Sequence, residues 1–208
     1  GATVSAIAPG LFHNPWEPCC DLAEVWEKLD RVFHLAGILG ARDVIIHGFL
    51  RPDGRRNGVC PPGVIDVLAE AAARALAAGR RLLLRNVADG YADTGMHTAA
   101  IVQAVRSPGL GVSWDPCQAT QAGECAICDG YDWVAPFVCD VRARDQVQHD
   151  LWGFEYAVLG QGIMDWLAQC QALVRDRFQG TSTLSTQIEP RLLGTMHSLD
   201  ALRSLLAT

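Results

Sequence analysis

The stretch that decides the fold is GARDVIIHG, residues 40–48. Its apolar run at residues 44–46 is typical of a strand buried on both faces of a parallel sheet. Gly40 can end a preceding helix, and His47 places a polar group at the carboxyl end of the strand. Apolar side chains recur at helical spacing in the residues before this stretch and again in those after it. The local order is therefore helix, strand, helix.

The same alternation runs along the whole chain. Apolar runs predict six strands, at residues 3–8, 44–46, 82–84, 110–114, 137–141 and 184–188. Helical patterns fall at residues 21–36, 61–78, 96–106, 163–178 and 198–206, with a weaker one at 123–137. Alternating strands and helices indicate an α/β fold with a parallel sheet covered by helices. No linker divides the pattern, so residues 1–208 are expected to form a single domain.

Composition excludes several classes of protein. The chain has 208 residues, is 50% hydrophobic and carries a formal net charge of -6. This apolar content argues against disorder, and the missing basic clusters argue against a nucleic-acid partner. No stretch approaches the about eighteen apolar residues of a membrane helix, so no membrane partner is expected. There is no secretory signal pattern, and the eight cysteines do not form a disulfide framework, so a cytoplasmic location is expected.

Several segments together resemble one known family. They are Gly40 to Gly48, Leu83-Leu84-Arg85-Asn86, Gly111 to Ala119, Val138 to Asp145, Leu159 to Trp166 and Thr183 to Pro190. Their order and spacing are similar to those of the xylose isomerase-like sugar phosphate isomerase/epimerase superfamily. The resemblance implies a TIM-barrel-like (β/α)8 fold. The Rossmann alternative lacks its G-x-G-x-x-G fingerprint.

The resemblance also implies that this chain starts at the third strand of the barrel, so the first two βα units are absent from it. About six βα units would then form an incomplete barrel, since such barrels typically need about 250 residues. Open sheet edges would favour a homo-oligomer.

Family members typically bind a divalent metal through Glu, Asp, His and Glu at four strand ends. The resemblance implies that Arg85, Asp115 and Arg142 occupy the first three positions. The position of the last glutamate corresponds to Gln187, or to Glu189 if the match to the family motif is shifted by two residues. Two arginines would repel a divalent ion, so we expect no cofactor, although Mn, Mg or Zn is the family default. If a metal binds, its ligands are expected to be Asp115, His47 and Glu189.

These substitutions predict a divergent, metal-poor site for a small anionic or sugar-like ligand. The predicted catalytic residues are Asp115, His47 and Gln187, and the predicted substrate-binding residues are Arg85, Arg142, Arg144, Gln118 and Trp114. The predicted activity is proton transfer on a polar carbonyl-bearing molecule, of isomerase/epimerase or lyase type. The alternative is a non-catalytic binding protein, or pseudoenzyme, whose arginines and Asp115 form an internal ion-pair network. A metal-dependent nuclease is disfavoured because the chain lacks basic charge and most of the metal ligands.

Cysteine and histidine spacing leaves further alternatives. Cys125-x-x-Cys128, with Cys117 and Cys139 nearby, could form a zinc cluster, although its spacing is irregular. The adjacent cysteines at 19 and 20 are expected to pack at a helix entry, and the arginine-rich loop at 51–56 is expected to be solvated. His13 is expected to be a surface or loop residue, as are the histidines at 97, 149 and 197.

Overall fold

Six parallel strands form a curled half-barrel in the computed structural model, which describes residues 2–18, 21–52, 59–150 and 153–206. The strands in chain order are β1 (Ala6–Ile7), β2 (Asp43–Ile46), β3 (Arg81–Arg85), β4 (Leu110–Trp114), β5 (Val138–Ala143), β6 (Asp145–His149), β7 (Gly153–Ala157) and β8 (Thr181–Leu184). The half-barrel has the order β1-β2-β3-β4-β5-β8, while β6 and β7 form a separate antiparallel hairpin.

Helices connect the strands. They are α1 (Ala23–Leu39), α2 (Pro62–Ala77), α3 (Gly95–Val105), α4 (Pro116–Gln121), α5 (Tyr131–Val134), α6 (Trp166–Arg175) and α7 (Arg191–Leu206). A π-helical turn, Ala126–Gly130, precedes α5, and a 3-10 turn, Ala135–Phe137, follows it. Among the described helices, none has the length and apolar character needed to cross a membrane.

The core lies between the helices and the outer face of the sheet. Side chains of a strand alternate between two faces. Val44 and Ile46 of β2 and Leu84 of β3 are fully buried in the same cluster as Leu29 of α1 and Leu68 of α2. The intervening strand residues therefore lie on the concave inner face, where the register pairs Arg85 with Ser113. The inner face is the surface on which polar groups from neighbouring strands can meet.

The predicted α/β, incomplete TIM-barrel-like fold is confirmed, but some boundaries are wrong. The last strand covers residues 181–184 rather than 184–188, because the hydroxyls of Thr181 and Thr183 bond to Asp140 of β5 and fix the pairing there. The stretch at 123–137 holds only short helical turns, and α7 begins at 191 rather than 198. The predicted Cys19–Cys20 packing and residues 53–56 of the arginine-rich loop lie outside the described residues. Arg51 of that loop is buried rather than solvated, because it pairs with the buried Asp93.

Candidate functional site

Asp115 is the fixed point of the inner face. It follows β4 and caps the N-terminus of α4, where its Oδ1 accepts a hydrogen bond from the Gln118 backbone N–H at 3.3 Å. Its backbone is bracketed by Asn86, whose amide donates to the Asp115 carbonyl at 2.8 Å and accepts from the Asp115 N–H at 2.7 Å. Both residues are fully buried. The Asp115 carboxylate is therefore held rigidly at the carboxyl end of the sheet.

Two guanidinium groups donate hydrogen bonds to that carboxylate. Arg85 donates to Oδ2 through Nη2 at 2.8 Å and Nε at 3.2 Å. Arg144 donates through Nη2 to Oδ2 at 2.5 Å and through Nε to Oδ1 at 3.1 Å. A carboxylate between two guanidiniums is strongly hydrogen-bonded, and such forked pairs fix orientation as well as charge. Both Asp115 oxygens are thus already engaged by protein groups.

The hairpin completes the surroundings of Arg144. Tyr156 of β7 accepts a hydrogen bond from Arg144 Nη1 at 2.7 Å, and its ring lies 4.8 Å from the guanidinium carbon. Asp145, at the start of β6, accepts backbone hydrogen bonds from Gly160, Gly162 and Met164. These bonds fasten the segment after the hairpin to β6. The hairpin therefore brings an aromatic side chain to the arginine cluster, which is formed by Arg85 and Arg144 around Asp115.

Arg142 and His47 carry nitrogens without protein partners. Arg142 Nε and His47 Nδ1 are both buried with no hydrogen-bond partner among the described residues. Burial and the charge of Arg85 lower the pKa of Arg142. Burial, then the neighbouring His13, Arg85 and Arg142, lower the pKa of His47 to about 4. At neutral pH the imidazole of His47 is therefore uncharged.

His13 belongs to this surface rather than to an unrelated loop. Its ring centroid lies 4.2 Å from that of His47, with an angle of 34° between the two ring planes. The loop after β1 reaches this place because the His47 backbone N–H donates to the Leu11 carbonyl at 3.0 Å. Nothing in the sequence pattern placed His13 here. Its position depends on a contact between two loops.

Four of the predicted site residues do not have their expected positions. Trp114 is buried on the outer face, where its indole N–H donates to Gln169 of α6, so it does not face the cluster. Gln118 accepts from the Ala88 backbone N–H at 3.1 Å and so ties α4 to the loop after β3. Gln187 and Glu189 are exposed beyond the end of β8, and Glu189 pairs with Arg191.

The shifted β8 explains the last two positions. Thr181 and Thr183 face inward, because both donate hydrogen bonds to the buried Asp140 of β5. Ser113 of β4 donates to the same carboxylate at 2.6 Å. By alternation, Ser185 is the next inward residue, directly after the strand. A serine, rather than Gln187 or Glu189, therefore stands at the carboxyl end of this strand.

The residues at the strand ends do not fit a divalent cation. Asp115 offers two oxygens, but both accept hydrogen bonds from guanidiniums, and the neighbouring strand ends supply Arg85, Arg142 and Ser185. In the described ranges, no group of three or more His, Cys, Asp or Glu side chains is placed to hold a metal ion. The suggested zinc cluster is also separated: the Cys117 thiol contacts the Arg144 carbonyl, and the Cys139 thiol contacts the Phe137 carbonyl.

Solved structures with the same fold are numerous but distant in sequence. A xylose isomerase domain protein from Planctomyces limnophilus is 17% identical, with a TM-score of 0.73 over 89% of this chain and 65% of that protein. The IOLI protein with a binding zinc atom is 15% identical, with a TM-score of 0.81 over 99% of this chain and 77% of that one. An L-ribulose 3-epimerase is 19% identical, with a TM-score of 0.71 over 97% and 74%.

The chain thus spans about two thirds of the length of the first of these proteins, 65%. A search of curated proteins found no match. At these identities the structural neighbours establish the fold alone. The sequence itself goes further, because the model of the xylose isomerase-like TIM barrel family matches residues 1–205. Nearly the whole chain is covered by that match, and the half-barrel agrees with it. The chain belongs to the xylose isomerase-like TIM barrel family.

Proposed function

We propose that this chain binds a small anionic or sugar-like molecule with a carbonyl group and moves a proton on it, as an isomerase, epimerase or lyase does. One observation carries the proposal. Arg142 Nε and His47 Nδ1 are buried, face the same surface and have no hydrogen-bond partner among the described residues. An unsatisfied buried polar group costs about 1–3 kcal/mol. A ligand oxygen would accept a hydrogen bond from Arg142 Nε, and a ligand hydroxyl would pair with His47 Nδ1 as donor or acceptor according to the tautomer.

The charge of the surface favours an anion. Arg85, Arg142 and Arg144 bring three positive charges to it, and in the described part of the chain the carboxylate that pairs with Arg85 and Arg144 is that of Asp115. Asp140 lies behind this layer and is satisfied by hydroxyl groups. Guanidinium groups match carboxylate, phosphate and enolate oxygens in geometry. The excess positive charge supports a ligand such as a sugar phosphate or a carboxylate.

His47 is the better candidate for the proton carrier. Its imidazole is neutral at pH 7, because its pKa is lowered to about 4, so a ring nitrogen can accept a proton. Asp115 is less suited, since both of its oxygens are held by arginines. We therefore propose that Asp115 positions the arginines. Arg142 and Arg85 would stabilise negative charge that develops on the substrate oxygen. No step requires a metal, because the donor set does not fit one.

The second candidate function is binding without chemistry. It is favoured by the same Asp115, whose engagement with two guanidiniums resembles a structural ion-pair network. In that case the surface would still hold an anion, but His47 would transfer no proton. The two functions differ in one measurable property, which is exchange of a substrate hydrogen with solvent.

The test is a deuterium-incorporation assay by proton NMR in D2O, with L-ribulose and D-ribulose 5-phosphate as probes. Loss of the signal from the hydrogen next to the carbonyl supports proton transfer. A thermal shift with inorganic phosphate and with D-ribulose 5-phosphate measures binding separately. Stabilisation without exchange of either probe would favour the binding protein. If the probes neither stabilise the protein nor exchange a hydrogen with solvent, the assignment of an anionic ligand of this kind is overturned.

Variants connect the assay to the named residues. His47→Gln should abolish exchange while leaving the thermal shift, and Arg142→Met should remove the thermal shift. Arg203→Met is the matched control, because Arg203 is an exposed arginine on α7. The assay should give the same rate with and without EDTA, and elemental analysis should find less than one metal per chain. A rate that depends on Mn, Mg or Zn would overturn the metal-poor site.

We also propose a cytoplasmic location for the protein, which is supported by the free thiols of Cys60, Cys117, Cys139 and Cys170.

A further inference from the structure

Cys125 and Cys128 form an exposed sulfur pair away from the arginine cluster. Their Cα atoms are 5.4 Å apart, and the structure joins the two sulfurs in a disulfide. Both residues are exposed, at the π-helical turn between α4 and α5. The separation lies within the range that a disulfide requires. We propose that this pair is a reversible dithiol–disulfide site that reacts with low-molecular-weight thiols and disulfides.

The other cysteines of the described ranges have different surroundings. Cys117 and Cys170 are buried, and Cys60 and Cys139 are half-buried; all four are free. Burial raises the pKa of each of these thiols, that of Cys60 to about 11. Thiol reactivity requires both access and the thiolate form. The contrast therefore singles out the exposed pair.

The backbone distinguishes the two sulfurs of the pair. The Cys128 backbone N–H donates a hydrogen bond to the Cys125 Sγ at 3.3 Å. A donor at this sulfur stabilises negative charge on it, so Cys125 is the residue expected to attack first. The nearest carboxylate in sequence, Glu124, is directed elsewhere, because its Oε2 accepts from the Gly95 backbone N–H at 2.6 Å. Cys128 then acts as the resolving thiol.

The exchange is balanced with a disulfide such as oxidised glutathione. The Cys125 thiolate attacks one sulfur of that disulfide, which forms a mixed disulfide and releases one glutathione thiolate. The Cys128 thiolate then attacks Cys125 Sγ, which forms the intramolecular bond and releases the second glutathione. Two protein thiols are oxidised, one external disulfide is reduced, and the protons of the protein thiols pass to solvent and to the departing thiolates. An excess of reduced glutathione reverses the sequence.

The turn is built for this pair to change state without disturbing the sheet. Gly130, at the end of the turn, packs so closely on Gly95 of α3 that a Cβ on Gly95 would lie 1.9 Å from the Gly130 carbonyl oxygen. Glu124 makes the second fastening of the turn to α3. These contacts hold the two ends of the segment, while the two cysteines lie between them on the exposed side. Opening the disulfide leaves both fastenings intact.

The experiment is differential alkylation of the full native chain after equilibration in glutathione buffers from fully reduced to fully oxidised. Cleavage before aspartate yields the fragment 115–128, which separates the pair from Cys139. Fragmentation of that peptide assigns each label, with Cys117 as an internal unreactive thiol. The expected result is alkylation of Cys125 and Cys128 in reduced buffer and protection of both in oxidised buffer, with complete reversal.

Variants test the assigned order. Cys128→Ser should accumulate the Cys125–glutathione mixed disulfide, and Cys125→Ser should carry at least tenfold less glutathione on Cys128. Cys139→Ser is the control and should behave as the parent chain does. Persistence of the disulfide in excess reduced glutathione would overturn the proposal, because the bond would then be structural. Two alkylated thiols in oxidised buffer would also overturn it. The parent-chain titration decides the question even where a serine variant fails to fold.

Discussion

Arg144 grips Asp115 with a fork: its Nη2 lies 2.5 Å from Oδ2, and its Nε lies 3.1 Å from Oδ1. The Arg144 side chain is 3% exposed and that of Asp115 is 0% exposed. The pair is therefore almost completely removed from water. Removing one partner of such a pair leaves an uncompensated buried charge, which is among the most costly single changes a protein can undergo.

Asp115→Asn should consequently lower the free energy of unfolding by about 3–5 kcal/mol. The amide keeps the shape of the carboxylate but leaves Arg85 and Arg144 without their counter-charge. Urea titration followed by circular dichroism measures the effect. Asp43→Asn is the matched control, since its pair with Arg81 is partly solvated and should cost about 1 kcal/mol or less. Equal losses in the two variants would contradict the importance given to the buried fork.

Tyr156 separates two contributions to the position of Arg144. Tyr156→Phe removes the hydrogen bond from Arg144 Nη1 but keeps the ring against the guanidinium, and should cost about 1 kcal/mol. Tyr156→Ala removes the ring as well and should cost about 1 kcal/mol more. The same urea titration measures both variants. A Phe variant as unstable as the Ala variant would show that the ring contributes nothing.

Periodicity and turn residues predicted most of the architecture. The apolar runs at residues 44–46, 82–84 and 110–114 lie within β2, β3 and β4. Buried parallel strands are continuous apolar runs, and for this reason they stand out from a single sequence. The sequence pattern does not predict the hairpin, because the Gln146–Val147–Gln148 alternation is short and mostly polar. The predicted position of the polar strand β8 lies too far toward Leu184 and Ile188, because its threonines bury hydroxyls rather than apolar groups.

The candidate site was predicted only in part, for a related reason. Placing Arg85, Asp115 and Arg142 at strand ends required only the strand pattern. Asp115 pairs with Arg144, the residue directly after β5, rather than with Arg142 on the strand, and this depends on side-chain geometry that no local pattern encodes. His13 and Tyr156 arrive from a loop and a hairpin that are distant in sequence. Such contacts depend on the tertiary fold, so local sequence reasoning could not supply them.

The hydroxyls around Asp140 should each stabilise the half-barrel. Thr183→Val keeps the side-chain shape but removes a donor that lies 2.6 Å from Asp140 Oδ1, and should cost about 1–2 kcal/mol. Thr181→Val removes a longer bond, at 3.0 Å, and should cost less. Ser182→Ala is the control, since Ser182 is exposed and its strand neighbours face inward. Thermal unfolding measures all three. A loss in Ser182→Ala equal to that in Thr183→Val would contradict the network.

The pH dependence of stability should report the burial of His47. The folded protein protonates His47 only near pH 4, whereas the unfolded chain does so near the ordinary value of 6.5. Between these values the unfolded state binds more protons, so the free energy of unfolding falls as the pH decreases. The loss begins below about pH 6.5, is complete below about pH 4, and amounts to about 3 kcal/mol. Above pH 6.5 this penalty is absent.

His47→Gln isolates that contribution, because glutamine does not titrate. Urea titration at intervals from pH 7.5 to 4.5 measures the unfolding free energy of both proteins. As the pH falls, the parent should lose more of this free energy than the variant does. Carboxylates titrate in the same range but contribute equally to both proteins and cancel in the difference. Gln103→Ala, at an exposed position on α3, is the control, because neither side chain titrates. Parallel curves for the parent and His47→Gln would mean that His47 is protonated normally in the fold. The neutral proton acceptor proposed for the site would then be lost.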